Sequence, residues 1–271
     1  MRGCTDLLRR KLARGDMLYT GMIHDSRSGT AVEAFQEAGY DVLIIDREHT
    51  YFDNATVLEH IRLARALGLP VMVRPADDAY ASVCCVLDQA PDGIFIPRIR
   101  TRADVERVVE LVKYPPIGKR GLGGSTCPVG KYVGWDSVTE QIDYVNRDVL
   151  IGIQIETAEA LENLDDILSV PHLDIAVVGN DDLSIGMGIP GQWQHPDYTA
   201  AVQRMIDTCR KYGVLPGIAG GDPAWVRFWA ERGMRMFWCG SDVVAMWQGV
   251  ARQLQQARAA VADLATEAGA S

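Results

Sequence analysis

No uninterrupted apolar run in this sequence approaches the roughly 20 residues that a membrane span requires, so no membrane segment is expected. Cysteine occurs, but not in a metal- or redox-type spacing. Cys4, Cys84, Cys85, Cys127, Cys209 and Cys239 form no CxxC, and free thiols in a reducing cytosol are the expected state. Positive charge is short as well: 27 basic residues stand against 36 acidic ones, a formal charge of −9 that disfavours nucleic-acid or anionic-membrane partners. The opening MRGCTDLLRRKLARGD lacks the apolar centre of a signal peptide and reads as a charged amphipathic helix, so a cytoplasmic location is expected. No linker or low-complexity segment divides residues 1–271, which read as a single domain.

What is present is a repeated alternation of apolar runs and helices. Strand-like runs occur at 17–23, 42–46, 71–75, 93–99, 150–156, 175–180, 214–220 and 236–242. Their near-continuous hydrophobicity fits strands of a parallel sheet that are buried on both faces. Helices are expected at 29–39, 54–67, 102–113, 156–169, 197–212 and 223–232, with Gly39, Gly68, Gly213 and Gly233 just past four of them as C-cap glycines. Eight such units predict a (β/α)8 TIM barrel. A doubly wound sheet would want GxGxxG after its first strand, and none is there. An N-terminal helix at 1–15 and an extended C-terminal helix at 243–268 frame the barrel. The surplus apolar residues of the latter suit packing on a second subunit or on its own barrel.

Barrel enzymes carry their reactive groups at the C-terminal ends of the strands. Strands 5 and 6, within Val149–Ser184, end in acid at Glu156 and at Asp181-Asp182, with Gln154 two residues before Glu156. Neighbouring parallel strands lie roughly 5 Å apart, so Glu156 and one of the aspartates would repel each other unless a cation sits between them. Oxygen ligands without Cys or His favour Mg²⁺ or Mn²⁺ over structural zinc; plain helix-capping acids are the alternative.

Strand 2 offers Asp46, Glu48 and His49, where a carboxylate could orient the imidazole for proton transfer. Arg74 closes strand 3 and suits a carboxylate, a developing enolate or a structural salt bridge. Asp88 falls in the last turn of the next helix, where the helix dipole disfavours an anion; His49 is the candidate cation to compensate it. The Gly- and Pro-rich loop YPPIGKRGLGGSTC carries Lys119, Arg120 and Ser125 and is expected to cover a pocket. The small residues of GIAGG, which includes Ala219, leave room for substrate after strand 7. No lysine stands at a strand end, which disfavours Schiff-base chemistry.

IDREH, VRP followed by VLD, YPPIGKRGLG, QIETAEALENLDDIL and GNDDLS with MGIPG behind it resemble, in this order and spacing, the HpcH/HpaI aldolase family of metal-dependent (class II) pyruvate aldolases. The resemblance covers nearly the whole chain after about residue 16. It implies a divalent metal (Mg²⁺ or Mn²⁺, with Co²⁺ also possible) held by Glu156 and Asp182, with bound pyruvate completing the coordination. Gln154 and the backbone at Asp181-Asp182 would contact that pyruvate, Arg74 would stabilise the enolate, and His49 paired with Asp88 would manage the C4 hydroxyl proton. Ser125 and Ala219 are further candidates for substrate contact. The implied activity is cleavage or formation of a 4-hydroxy-2-oxo acid from pyruvate and an aldehyde, in a homo-oligomer, commonly a hexamer. The alternatives are a lyase for an acyl-CoA thioester, with Lys119, Arg120 and Lys131 as the phosphate-binding cluster, and an oxaloacetate decarboxylase. Arg47, Asn180 and Ala219 depart from the usual family pattern, and a roomy or altered aldehyde pocket is expected.

Overall fold

The computed structural model describes residues 3–123 and 135–261. Eight parallel strands close into a barrel in chain order, and β1 pairs with both β2 and β8. They are β1 (Leu18–Ile23), β2 (Val42–Asp46), β3 (Val71–Arg74), β4 (Gly93–Ile96), β5 (Leu150–Ile155), β6 (Ile175–Val178), β7 (Leu215–Ala219) and β8 (Met236–Ser241). Each coincides with one of the expected strand runs, and the fold is the TIM barrel.

Helices α1 (Gly3–Arg14), α2 (Gly29–Glu37), α3 (Asn54–Ala66), α4 (Tyr80–Leu87), α5 (Arg102–Val112) and α6 (Val138–Asp148) accompany the first half. The second half carries α7 (Ala158–Glu162), α8 (Leu164–Leu168), α9 (Asn180–Gly186), α10 (Pro196–Tyr212), α11 (Pro223–Glu231) and α12 (Asp242–Ala259). Local chemistry sets their ends. Ser28, Asp53 and Asp222 accept backbone N–H bonds at the starts of α2, α3 and α11, and Thr101 with Asp104 forms a full capping box on α5. The four glycines expected past helix ends all take positive φ.

Three differences from the expected pattern have physical causes. The single helix at 156–169 is two short ones, broken at Asn163, whose side chain donates 2.9 Å to the Arg100 carbonyl. Helix α6 was not anticipated, because its sequence VTEQIDYVNRD carries few apolar residues; Ser137 caps it, and Tyr144 and Val145 anchor it. Strand β4 stops at Ile96 rather than 99, because Pro97 has no N–H and Arg98 turns at φ 59°.

Alternation along each strand divides the core in two. Val42, Ile44, Met72, Leu150, Ile175, Val177 and Met236 fill the barrel, whereas Leu43, Ile45, Val71, Val73, Ile151, Ile153 and Ile155 face the helices. The fill is tight: a Cβ on Gly152 would lie 2.3 Å from the Phe95 ring. Helix α1 closes the N-terminal end with Leu8, which is fully buried in the barrel cluster. Beside it the buried Asp92 accepts from Thr5, from Arg65 Nη1 at 2.8 Å and from the Val71 N–H at 2.9 Å. At the other extreme, α12 buries none of its residues, and Met246, Trp247, Val250 and Leu254 are exposed. Among the described residues, no helix is long and apolar enough to cross a membrane.

Candidate active site

The alternation that fills the barrel also sets its mouth. Since Ile44, Met72 and Gly152 point inward, so do Asp46, Arg74 and Gln154 two residues later, and Glu156 follows on the same face. Asp46 and Arg74 are register partners on β2 and β3. The result is a buried polar chain across the mouth. Arg74 donates from Nε to Asp46 Oδ1 at 2.7 Å and from Nη2 to Oδ2 at 2.8 Å. Its Nη1 donates to Gln154 Oε1 at 3.0 Å and lies 3.0 Å from Glu48 Oε2. Gln154 Nε2 in turn donates to Glu156 Oε2 at 2.9 Å, and the Arg98 N–H donates to Glu156 Oε1 at 2.6 Å. Guanidinium only donates and carboxylate only accepts, so the Gln154 amide has one orientation that satisfies both neighbours. The early turn of β4 thus aims the Arg98 amide at the site.

Gly179, at the end of β6, belongs to the same construction. A Cβ there would stand 2.3 Å from Glu156 Oε2, so only glycine lets the carboxylate sit against the β6 backbone. Asn180 behind it is buried, donating 2.9 Å to the Ala219 carbonyl and accepting the Tyr198 hydroxyl at 2.9 Å. Asp181 and Asp182 follow in the first turn of α9, exposed at the mouth.

Charge at the mouth is unbalanced. Burial opposes ionisation of Asp46, but the two bonds from Arg74 more than offset it and hold that carboxyl below its ordinary range. Glu156 goes the other way. Burial, together with the negative charges of Glu48 and Asp182, pushes its carboxyl up despite the Arg98 N–H and the charge of Arg74. Glu48 Oε2 is buried without a well-aligned hydrogen bond, its contact with Arg74 being one of charge. Arg74 therefore faces Asp46, Glu48 and Glu156 together, with Asp182 adding negative charge beside Glu156. A divalent cation between Glu156 and Asp182 fits this surplus and this all-oxygen donor set. Among the described residues no group of three or more His, Cys, Asp or Glu side chains is placed to hold a metal ion.

The other expected residues separate. His49 is exposed on the rim, its Nε2 3.6 Å from Glu48 Oε2. The pairing of His49 with Asp88 is corrected: Asp88 Oδ1 accepts from Arg120 Nη2 at 2.7 Å, and the Arg120 side chain is buried. A cation does compensate the carboxylate at the end of α4, but the glycine-rich loop supplies it. Of the cluster the acyl-CoA alternative required, Arg120 is thus engaged with Asp88, and the exposed Lys119 pairs with Glu110 at 2.6 Å. Lys131 and Ser125 lie outside the described residues. Ala219 ends β7, where its carbonyl also accepts from Trp225 Nε1 at 2.9 Å.

Two groups at the mouth were missed. His24, just past β1, has Nε2 3.7 Å from Asp46 Oδ2 and Nδ1 3.2 Å from Ser241 Oγ; burial lowers its pKa, outweighing Asp46 and Asp242. Asp242 accepts the N–H groups of His24, Asp25 and Ser26 at 2.9, 3.0 and 2.8 Å, tying the loop after β1 to the end of β8. The polar HDS following β1 and the SD ending β8 were the available signals.

The family profile described as HpcH/HpaI aldolase/citrate lyase matches residues 20–268. A hydroxypyruvate/pyruvate aldolase of Paraburkholderia phytofirmans is 30% identical over 261 residues, covering 94% of this chain and 98% of that protein. A 4-hydroxy-2-oxo-heptane-1,7-dioate aldolase of Shigella sonnei is 30% identical over 219 residues, 81% of this chain and 82% of that one. The crystal structure of an HpcH/HpaI aldolase from Desulfitobacterium hafniense superposes with a TM-score of 0.87 at 29% identity, covering 93% of this chain and 96% of the other. With a mouth built from strand-end acids and arginine, and relatives along nearly its full length, the chain is an enzyme, a lyase, and belongs to the HpcH/HpaI aldolase/citrate lyase family.

Proposed function

We propose that this lyase is a divalent-metal-dependent aldolase that cleaves or forms 4-hydroxy-2-oxo acids through a pyruvate enolate. The observation that carries the reading is the buried chain Asp46–Arg74–Gln154–Glu156 with its surplus of carboxylate. Glu156 and Asp182 would hold Mg²⁺ or Mn²⁺, with Co²⁺ as a substitute; the bound ion supplies a Lewis acid for the 2-oxo acid. Arg74, kept charged and immobile by Asp46, offers its guanidinium to the oxygen on which enolate charge develops. Gln154 and the backbone at Asp181-Asp182 orient the 2-oxo acid head. His49, with Glu48 beside it, accepts the C4 hydroxyl proton as the C3–C4 bond breaks; the electron pair passes to the pyruvate fragment and the aldehyde departs.

We place the chain as one barrel domain in a cytoplasmic homo-oligomer, a hexamer by family resemblance. The exposed apolar side chains of α12 support this, since they suit burial against a second copy. The test is to strip the enzyme with chelator, restore Mg²⁺, Mn²⁺ or Co²⁺ singly, and follow pyruvate release from a panel of 4-hydroxy-2-oxo acids. Metal-restored release that disappears in Glu156→Ala and Asp182→Ala supports the reading. Release without metal would overturn it, and release from oxaloacetate alone would replace the aldol assignment with decarboxylation.

A further inference from the structure

Cleavage of a 4-hydroxy-2-oxo acid moves two protons: one leaves the C4 hydroxyl, and one joins C3, where the electron pair of the broken bond arrives. In the reading above His49 takes the first, which leaves the second without a carrier. The carboxylates of the mouth are engaged. Arg74 holds Asp46 through two bonds and faces Glu48 at 3.0 Å, while Glu156 and Asp182 are the acids that would hold the metal. His24 is not engaged in this way. Its Nδ1 lies 3.2 Å from Ser241 Oγ, whereas Nε2 makes no hydrogen bond among the described residues and stands 3.7 Å from Asp46 Oδ2.

The two imidazoles differ in depth. The His49 side chain is 65% exposed on the rim, against 30% for His24. Asp46 Oδ2 accepts from Arg74 Nη2 at 2.8 Å and also faces His24 Nε2, so one carboxylate oxygen separates His24 from the guanidinium offered to the enolate. C3 of that enolate is two bonds from its oxygen. The loop that carries His24 is fixed from both sides by groups other than the imidazole. Asp242 accepts the N–H groups of His24, Asp25 and Ser26, Asp25 accepts the Tyr51 hydroxyl, and Arg27 donates to the Tyr51 carbonyl at 3.3 Å. The ring is held in place without being needed as a tie.

We infer that His24 is the acid-base group for C3, a role separate from that of His49; this rests on the aldolase reading above. In the direction of synthesis Nε2 takes a proton from the pyruvate methyl group, and the electron pair of that C–H bond moves into the enolate. In the direction of cleavage the imidazolium returns a proton to C3 once the C3–C4 bond has broken. The charges around the ring suit both directions. Burial lowers the pKa of His24, and Arg74 and His49 add to this, against the pull of Asp46 and Asp242. The ring is thus neutral near neutral pH and free to act as a base. The imidazolium it becomes has Asp46 beside Nε2 and Asp242 3.9 Å from Nδ1.

The test follows loss of the methyl proton signal of pyruvate in D2O by NMR, with the metal-supplied full-length enzyme and no aldehyde present. Exchange by His24→Ala should fall by about a hundredfold with the KM for pyruvate little changed, and added imidazole should restore part of it. The wild-type rate should decline toward acid between about pH 8 and 5, and that limb should vanish in the variant. Exchange unmoved in His24→Ala overturns the assignment, as does a loss that imidazole does not restore in a variant that melts with the wild type. If His24→Ala melts early, His24→Gln carries the comparison: exchange lost upholds the role, and exchange retained with its acid limb overturns it. A wild-type enzyme that cleaves hydroxy-oxo acids but exchanges no methyl proton overturns His24 and leaves the aldolase standing. Neither exchange nor pyruvate release from any hydroxy-oxo acid would bring down the aldolase reading and this inference together.

Discussion

The two ends of the barrel each bury an arginine against an aspartate, and the contrast between them separates a scaffold from a site. At the closed end Arg65 meets Asp92 at 2.8 Å, Thr5 and the Val71 amide complete the carboxylate, and α1 seals the group from solvent. There the acid and the base match and are surrounded by donors. At the mouth Arg74 meets Asp46 at 2.7 Å with equal care, yet it also faces Glu48 at 3.0 Å, and Glu48 and Asp182 add negative charge beside Glu156. Burial of an ion pair is therefore not the mark of function, because both ends have it. The mark is an excess of buried or half-buried carboxylate over the arginine that faces it, as a site awaiting a cationic or electrophilic group must have.

Breaking each end in turn should give opposite results. Glu156→Gln keeps the bond from Arg98 and removes the raised carboxyl; we expect activity to fall by about a thousandfold while the thermal midpoint stays level or rises. Measuring pyruvate release and melting on the same preparation checks it, and an equal loss in both would assimilate the mouth to a structural pair. Arg65→Met strands a buried carboxylate at the closed end and should cost about 3–5 kcal/mol in urea unfolding. The kcat/KM per folded molecule should then remain that of the wild type. A selective loss of turnover would mean that the closed end is coupled to chemistry after all.

How far these two ends could be told apart without coordinates depends on range. The strands were legible because a strand buried on both faces reads as an apolar run, and Glu156 and Arg74 were legible because each breaks such a run with charge. Asp46 was visible as an acid, but not as the anchor of Arg74, since register between strands fixes that pairing. The partner of Asp88 was misassigned for a related reason. His49 lies one strand back in the barrel order, whereas Arg120 arrives from a loop 32 residues later, and no local pattern reports that return. Arg98 enters the site through its backbone amide, which makes the contact with Glu156. Sequence patterns name side chains; they are silent about which peptide groups a positive φ will aim.

Acid-base behaviour sharpens the closed end further. Lys113 is buried there, donating to the carbonyls of Val145 and Val149 at 3.1 and 2.6 Å. Burial pushes its pKa down to about 8 from 10.5, against the pull of Asp174. Between those values the unfolded chain holds the proton and the folded one releases it, so stability should rise with pH across that window. The gain is up to about 3 kcal/mol. Urea unfolding at intervals from pH 7.5 to about 10 would show it, and Lys113→Met should flatten the slope. A slope that persists in the variant would assign the effect to another group.

The smallest effect expected probes the arginine rather than the surplus acid. Asp46→Asn leaves a side chain of the same shape but removes the charge opposite Arg74 and replaces one acceptor with a donor that clashes with the guanidinium. Arg74 would then settle toward Glu48 and away from Gln154. Displacement by a fraction of an ångström to about 1 Å should lower kcat by about ten- to a hundredfold, with KM changed less. Stability should fall less than in Arg65→Met, since Glu48 and Glu156 remain to face the cation. If kcat is unchanged while stability drops as far as at the closed end, Asp46 and Arg74 are scaffold like Asp92 and Arg65, and the excess of carboxylate at the mouth belongs to Glu48, Glu156 and Asp182 alone.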